Sequence, residues 1–206
     1  MKQTQLLMGM PIAVEIIDTD CPPSLFEKVF SYFDSVDKRF STYKENSEIS
    51  KINRGEISPA EYSADMKTIF QLAEETKKQT QGYFNIIRHN KIDPSGIVKG
   101  WAIYQAAMLL SKEGVRNYYI EAGGDIQVSG KNEISEKWSV GIRNPFKQEE
   151  IVKVVFLKDE GIATSGTYIR GQHIYNPHKD DEEISDIMSI TVIGPNIYEA
   201  DRFATA

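Results

Sequence analysis

The sequence predicts an α+β fold with antiparallel-rich sheets and packed helices. Apolar residues recur at helical spacing in two stretches of the first half, and a third run of strong helix formers occupies the middle. Short β-like runs separated by turn residues fill the second half. Together they give packed helices beside sheets rather than an alternating βα order.

PIAVEIID at 11–18 reads as a strand, and CPPS at 21–24 as a turn that offers Ser24 as the N-cap of a helix. Phe26, Val29, Phe30, Phe33 and Val36 form the apolar face of that helix. FSTYKENSEISKINRGEIS, from 40 to 58, is polar and predicts a loop with a short helix inside it. A second helix is expected from about Ala64 to Gln79, burying Met66, Ile69, Phe70 and Ala73. GYFN at 82–85 is expected as an aromatic strand or a pocket wall. Asp93, Pro94, Ser95 and Gly96 are residues of a helix start, and the helix formers that follow stop at Gly114. NYYIEAGGDIQVSG at 117–130 is expected as a strand interrupted by paired glycines, through a bulge or a tight turn. WSVGIRNP, IVKVVFL, GIATSG, HIYNP and IMSITVIGP supply the remaining short strands.

The 206 residues suffice for a single domain, 1–206, with a substantial core, or for two small lobes sharing one, and 40% hydrophobic against 26% charged residues argues against disorder. A formal charge of −6, with no basic block longer than a pair, argues against a nucleic-acid surface. Cys21 is the sole cysteine, which excludes an intrachain disulfide and a CxxC zinc pair. The first 16 residues lack the pattern of a signal peptide, and no segment approaches a membrane span. The chain therefore reads as soluble, cytoplasmic by default; a removed leader leaves no trace, so an exported, cell-envelope location stays open. Neither GxxxxGK[ST] nor GxGxxG occurs, so the common nucleotide cradles are absent.

Four features carry chemistry. Lys99 lies close to the start of a helix, where unpaired N–H groups disfavour a cation by a few tenths to ~1 kcal/mol unless an anion offsets it. GGDI at 123–126 permits close backbone approach. TSGTYIRGQHIYNP at 164–177 brings Ser165, Gly166, Tyr168, His173 and Asn176 together, with His173 either structural or poised to meet a ligand. His89 and His178 read as surface residues. ADRFATA at 200–206 sets Asp201 and Thr205 at i and i+4, either as an exposed helix start or as a pair of hard oxygen ligands.

In chain order, MGM at 8–10, FSTYKENSEISKIN at 40–53, GYFN, DPSGIVKGWA at 93–102, GGDI, SGTY with HIYNP, and ADRFATA resemble the ApbE-type FAD:protein FMN transferases across nearly the whole chain. The resemblance implies a two-lobed, T-fold-like architecture with a ligand cleft that binds FAD, and a Mg²⁺ at the pyrophosphate. Met8, Tyr43, Tyr83, Phe84, Asn85, Asp93, Lys99 and Ile184 match its FAD contacts. Asp201, Thr205 and the Gly96 carbonyl match its metal ligands. His173 matches the family histidine, a candidate for taking the acceptor proton, with Asp201 as competitor. The implied reaction transfers FMN from FAD to a Thr or Ser hydroxyl of a target protein, a redox-complex subunit or flavin-carrying reductase, and releases AMP. FAD pyrophosphatase activity and noncatalytic flavin binding are the alternatives. MGM departs from the usual MGT, GYFN from a final Asp, and NPHKDDEE from NPxTGxP. The family also continues past ADxxAT with a helix and strand, so the closing helix here is expected to be poorly anchored, with Phe203 as its main apolar contact.

Overall fold

The computed structural model describes residues 1–147, 149–166, 175–179, 182–184 and 186–206. The chain opens with a hairpin, β1 (Lys2–Leu7) and β2 (Met10–Ile16), joined by the two-residue turn Met8–Gly9. Only β2 was legible as a strand, because β1 alternates no apolar face. Helix α1 (Ser24–Phe40) buries all five residues of the expected stripe. Ser24 is not its cap: the Pro22 and Pro23 carbonyls already accept the Leu25 and Phe26 N–H groups, at 3.0 and 3.1 Å, and no side chain caps the helix. α2 (Glu48–Asn53) is the short helix inside the polar loop, capped by Ser47.

α3 (Ala64–Gln79) is capped by Ser63, whose Oγ accepts the Met66 N–H at 3.2 Å. It buries Met66, Ile69, Ala73 and Thr76, while Phe70 is half-buried against Tyr62, with ring centroids 5.5 Å apart. GYFN is not a strand. The last carbonyls of α3 and its cap capture the backbone donors that a ladder would need: Gly82 N–H bonds the Lys77 carbonyl at 2.8 Å and Tyr83 N–H that of Thr80 at 3.0 Å. A small hairpin, β3 (Ile87–Arg88) and β4 (Lys91–Ile92), follows, then α4 (Ser95–Lys112).

Residues 117–130 form two strands rather than one. β5 (Tyr118–Ala122) and β6 (Asp125–Ser129) pair across Gly123 and Gly124, whose φ values of 58° and 93° suit a tight two-residue hairpin turn. Then come β7 (Trp138–Arg143), β8 (Ile151–Leu157), β9 (Gly161–Gly166), β10 (Tyr175–Asn176), β11 (Glu182–Glu183), β12 (Ser189–Gly194) and α5 (Ile197–Thr205).

Six strands make one antiparallel sheet in the order β1-β2-β5-β6-β9-β12, with β7–β8 as a separate hairpin. The main core joins Ile12, Val14, Ile16 and Ile120 of the sheet to buried apolar residues of α1, α2, α3, α4 and α5. A second cluster, Ile126, Val128, Trp138, Val140, Leu157 and Ile162, seats the β7–β8 hairpin on β6 and β9. α5 differs from the expectation in how it is held. Ile197, Ala200 and Ala204 are its buried anchors, whereas Phe203 is 41% exposed. Asn196 caps it by accepting the Glu199 N–H at 2.9 Å, and Gln127 Oε1 accepts the Ile197 N–H at 2.8 Å.

Candidate active site

Two antiparallel helices supply the site, with Gly96 opposite Thr205 and Gly100 opposite Asp201. Both pairs stand at i and i+4, so each pair shares one helix face. The helices touch where α4 lacks side chains. A Cβ at Gly100 would lie 2.6 Å from Asp201 Cβ and 2.9 Å from the Ile197 carbonyl oxygen; one at Gly96 would lie 2.9 Å from Thr205 Cγ2. The Gly100 N–H donates to Asp201 Oδ2 at 2.7 Å, and Asp201 is 3% exposed.

Lys99 is the fifth residue of α4, one turn inside the helix. Sequence reasoning asks for an anion beside it, and the structure supplies two carboxylates: Lys99 Nζ lies 2.6 Å from Asp125 Oδ2 and 3.5 Å from Asp201 Oδ1. Asp125 is 1% exposed, and its Oδ1 accepts the Thr164 N–H at 3.2 Å. Among the described residues, Asp125 Oδ2 accepts no hydrogen bond of normal geometry and is balanced by the Lys99 charge. Burial pushes the Asp201 carboxyl up to about 7; the Lys99 ammonium opposes the shift and the Asp125 charge adds to it.

Asp125 carries no assignment from the sequence, although GGDI was singled out there. Only the fold brings it to Lys99 and Asp201, because β6 starts at the glycine turn and pairs with β9. The i, i+4 glycines of SGIVKG were the one local sign of a close helix contact.

The remaining candidates are spread over the neighbouring turns. Met8 occupies the β1–β2 turn, which adjoins the β5–β6 turn: a Cβ at Gly123 would lie 2.9 Å from Met10 Sδ. Asp93 is exposed, and its Oδ1 accepts the Ser95 N–H at 3.0 Å, supporting the start of α4. Phe84 is buried and packs toward Gly96, while Asn85 Oδ1 accepts the Ile87 N–H at 3.1 Å. Tyr83 is 48% exposed and meets the exposed His178 edge-on, with ring centroids 4.6 Å apart, a contact the sequence did not foretell. Tyr43 stands 97% exposed between α1 and α2, and Ile184 is half-buried after β11. His173 and Tyr168 lie outside the described residues.

Among the described residues no three His, Cys, Asp or Glu side chains form a metal cage. Asp201, Thr205 and the Gly96 carbonyl are instead a set of hard oxygen donors, of a kind that suits a cation keeping water or phosphate in its shell. The glycine contacts that press Thr205 and Asp201 against α4 fit that use. No helix among the described residues is long and apolar enough to cross a membrane.

The ApbE family model matches residues 8–89 and 87–206. The chain is 32% identical over 123 residues to the FAD:protein FMN transferase of Vibrio cholerae, a stretch covering 55% of this chain and 37% of that protein. The Salmonella typhimurium protein of the same name is 31% identical, with 35% of its length covered. The Haemophilus influenzae one is 24% identical, and the match takes in 96% of this chain and 77% of that protein. Over this region the chain thus spans about a third of the first two relatives. The structure of the flavin transferase ApbE from Vibrio cholerae superposes with a TM-score of 0.86 at 22% identity, covering all of this chain and 85% of that one. The Thermotoga maritima ApbE protein gives 0.83 at 20%. These superpositions establish an α+β ApbE fold, and the family match, running from residue 8 to the last residue, shows that the chain belongs to the ApbE family.

Proposed function

We propose that the protein transfers FMN from FAD to a Thr or Ser hydroxyl of a target protein, releasing AMP. The observation that carries this reading is the α4–α5 contact, where glycine gaps seat Asp201 and Thr205 against α4 and Asp201 lies 3.5 Å from Lys99 Nζ. Oxygen donors along one helix contact, with an ammonium beside one of them, suit a pyrophosphate with its divalent cation. The names of the relatives support the same reaction.

In this reading FAD lies in a cleft of a two-lobed fold, its flavin near Tyr83 and the 82–85 turn and its pyrophosphate at Lys99. Met8, Tyr43, Phe84, Asn85, Asp93 and Ile184 line the path of the dinucleotide. Asp201, Thr205 and the Gly96 carbonyl hold Mg²⁺, which supplies charge neutralisation at the phosphate oxygens when bound. The acceptor oxygen attacks the FMN phosphorus; the bond to AMP breaks as the new phosphoester forms. His173 receives the hydroxyl proton, with Asp201 as the competing base. Lys99 stabilises charge on the pyrophosphate oxygens, and the buried walls around Asp201 strengthen every such interaction.

The test incubates the chain with FAD and Mg²⁺, with and without a Thr-bearing acceptor protein, and follows AMP release and flavin fluorescence of the denatured acceptor. Both signals are expected, and both vanish in Asp201→Ala. AMP without labelled acceptor would assign a FAD pyrophosphatase instead; bound FAD with neither signal would assign a noncatalytic binder.

A further inference from the structure

Tyr83 and His178 come from different parts of the fold, and the backbone of each is held independently of the other. Tyr83 lies in the turn that closes α3: its N–H donates to the Thr80 carbonyl at 3.0 Å, and the Gly82 N–H to that of Lys77 at 2.8 Å. His178 follows β10, where its N–H donates to Asn176 Oδ1 at 3.0 Å and the Lys179 N–H to the Asn176 carbonyl at 3.1 Å. The two side chains meet edge-on, with ring centroids 4.6 Å apart and planes at 77°. The approach depends on Gly82, where a Cβ would lie 3.3 Å from His178 Cε1 and 3.6 Å from Nε2, and where a φ of 90° would strain any side chain. Among the described residues His178 is the one aromatic neighbour of Tyr83. An edge-on ring covers at most one face of its partner, and 48% of Tyr83 remains in water. The contact thus limits how far the tyrosine ring can turn and still leaves a ring face for a planar ligand. Ordering a side chain is a cost that binding otherwise has to meet itself.

We propose that His178 is a positioning residue for flavin binding, acting through Tyr83: it holds the tyrosine ring edge-on, so that the flavin meets a surface already in place. The inference rests on the reading above that puts the flavin near Tyr83. It gives His178 no contact with the flavin and no part in proton transfer, and that separates it from a direct ligand and from the role given to His173.

The test is riboflavin binding to the full chain, followed by the change in flavin fluorescence; riboflavin has no phosphate, so the cation site does not enter. Both side chains are exposed, so their replacement removes nothing from the core. His178→Ala should weaken riboflavin about three- to tenfold, the range an aromatic pair can supply. His178→Phe keeps a ring edge and should stay within about twofold of wild type. In a Tyr83→Leu background His178→Ala should cost less than about twofold, because the ring it holds is gone. Mn²⁺, read by the loss of its free-ion paramagnetic resonance signal, reports on the cation site and should bind His178→Ala within about twofold of wild type. Wild-type riboflavin affinity in His178→Ala, a phenylalanine variant as weak as the alanine one, or a parallel loss of Mn²⁺ overturns the proposal. An equal loss in both Tyr83 backgrounds overturns it too, making His178 a direct flavin contact. Full riboflavin affinity in Tyr83→Leu overturns the flavin reading of Tyr83 itself and the inference with it, so the two failures are told apart.

Discussion

On its α1 side, α4 presents Trp101, which meets Phe40 edge-on with ring centroids 5.9 Å apart and lies 6.4 Å from Tyr32. On its α5 side it presents Gly96 and Gly100, and the space their side chains would take holds Thr205 and Asp201. The first contact buries large apolar surface and needs no particular backbone approach. The second gives up that burial: each glycine inside a helix costs about 0.5–1 kcal/mol relative to alanine, and Asp201 adds a carboxylate removed from water. One helix thus stabilises the fold on one face and gives stability away on the next, where the polar groups converge. Local cost and candidate chemistry coincide.

Trp101→Ala should separate the two faces most sharply. Loss of a buried indole lowers unfolding free energy by about 3–5 kcal/mol, read in urea titrations. Mn²⁺ affinity of the folded fraction should stay within about threefold, and a larger loss would mean that the faces are not independent. Gly100→Ala should do the reverse. Its methyl meets Asp201 Cβ and the Ile197 carbonyl, so α5 must move; the stability loss is smaller, about 1–3 kcal/mol, yet Mn²⁺ binding should fall more than about tenfold. Unchanged Mn²⁺ binding there would show that the helix contact does not set the site.

The smallest effect is a slope. The folded protein holds the Asp201 proton up to about 7, whereas the unfolded chain releases it near the ordinary 3.8. Between those values the native state binds more protons, so this group's stabilising contribution, full below 3.8, is lost as pH rises through about 7. The metal-free protein should lose at most about 1.4 kcal/mol per pH unit from this group across that window. Asp201→Asn should flatten that part of the curve; a variant with the wild-type slope would remove Asp201 as its source.

Legibility in the sequence followed the distance over which each feature is decided. α3 was expected from Ala64 to Gln79 and runs over those residues, because a serine cap and an i, i+3, i+4 stripe are local. The stripe of α1 was equally plain, while its cap was misread because two proline carbonyls had taken the role. β1 escaped notice: KQTQLL lies at the sheet edge with five of its six residues exposed, so pairing to β2 rather than burial makes it a strand. At the site, Asp201, Thr205 and Lys99 were named from spacing and resemblance, but Asp125 was not. Its partners stand 26 and 76 residues away in sequence, by subtraction of 99 from 125 and 125 from 201, and only the sheet closes those separations. The anchors of α5 were missed for the same reason, since Ala200 and Ala204 are buried only because neighbouring elements close over them.

Arg202 sits 6% exposed on α5, where it bonds Glu199 and reaches Gln79 Oε1 at 2.6 Å and Thr76 Oγ1 at 3.2 Å at the end of α3. Thr80, next along, takes the Phe84 N–H on its Oγ1 at 3.0 Å, and Phe84 leads back through Gly96 to Thr205 on α5. The contacts close a circuit from α5 to α3, the aromatic turn, α4 and back. A circuit loads its other links when one is opened, which favours these segments opening together. In hydrogen-exchange terms, the last turn of α3, residues 80–84 and α5 are expected to share one opening event, with a ligand held by any one of them slowing exchange in all three.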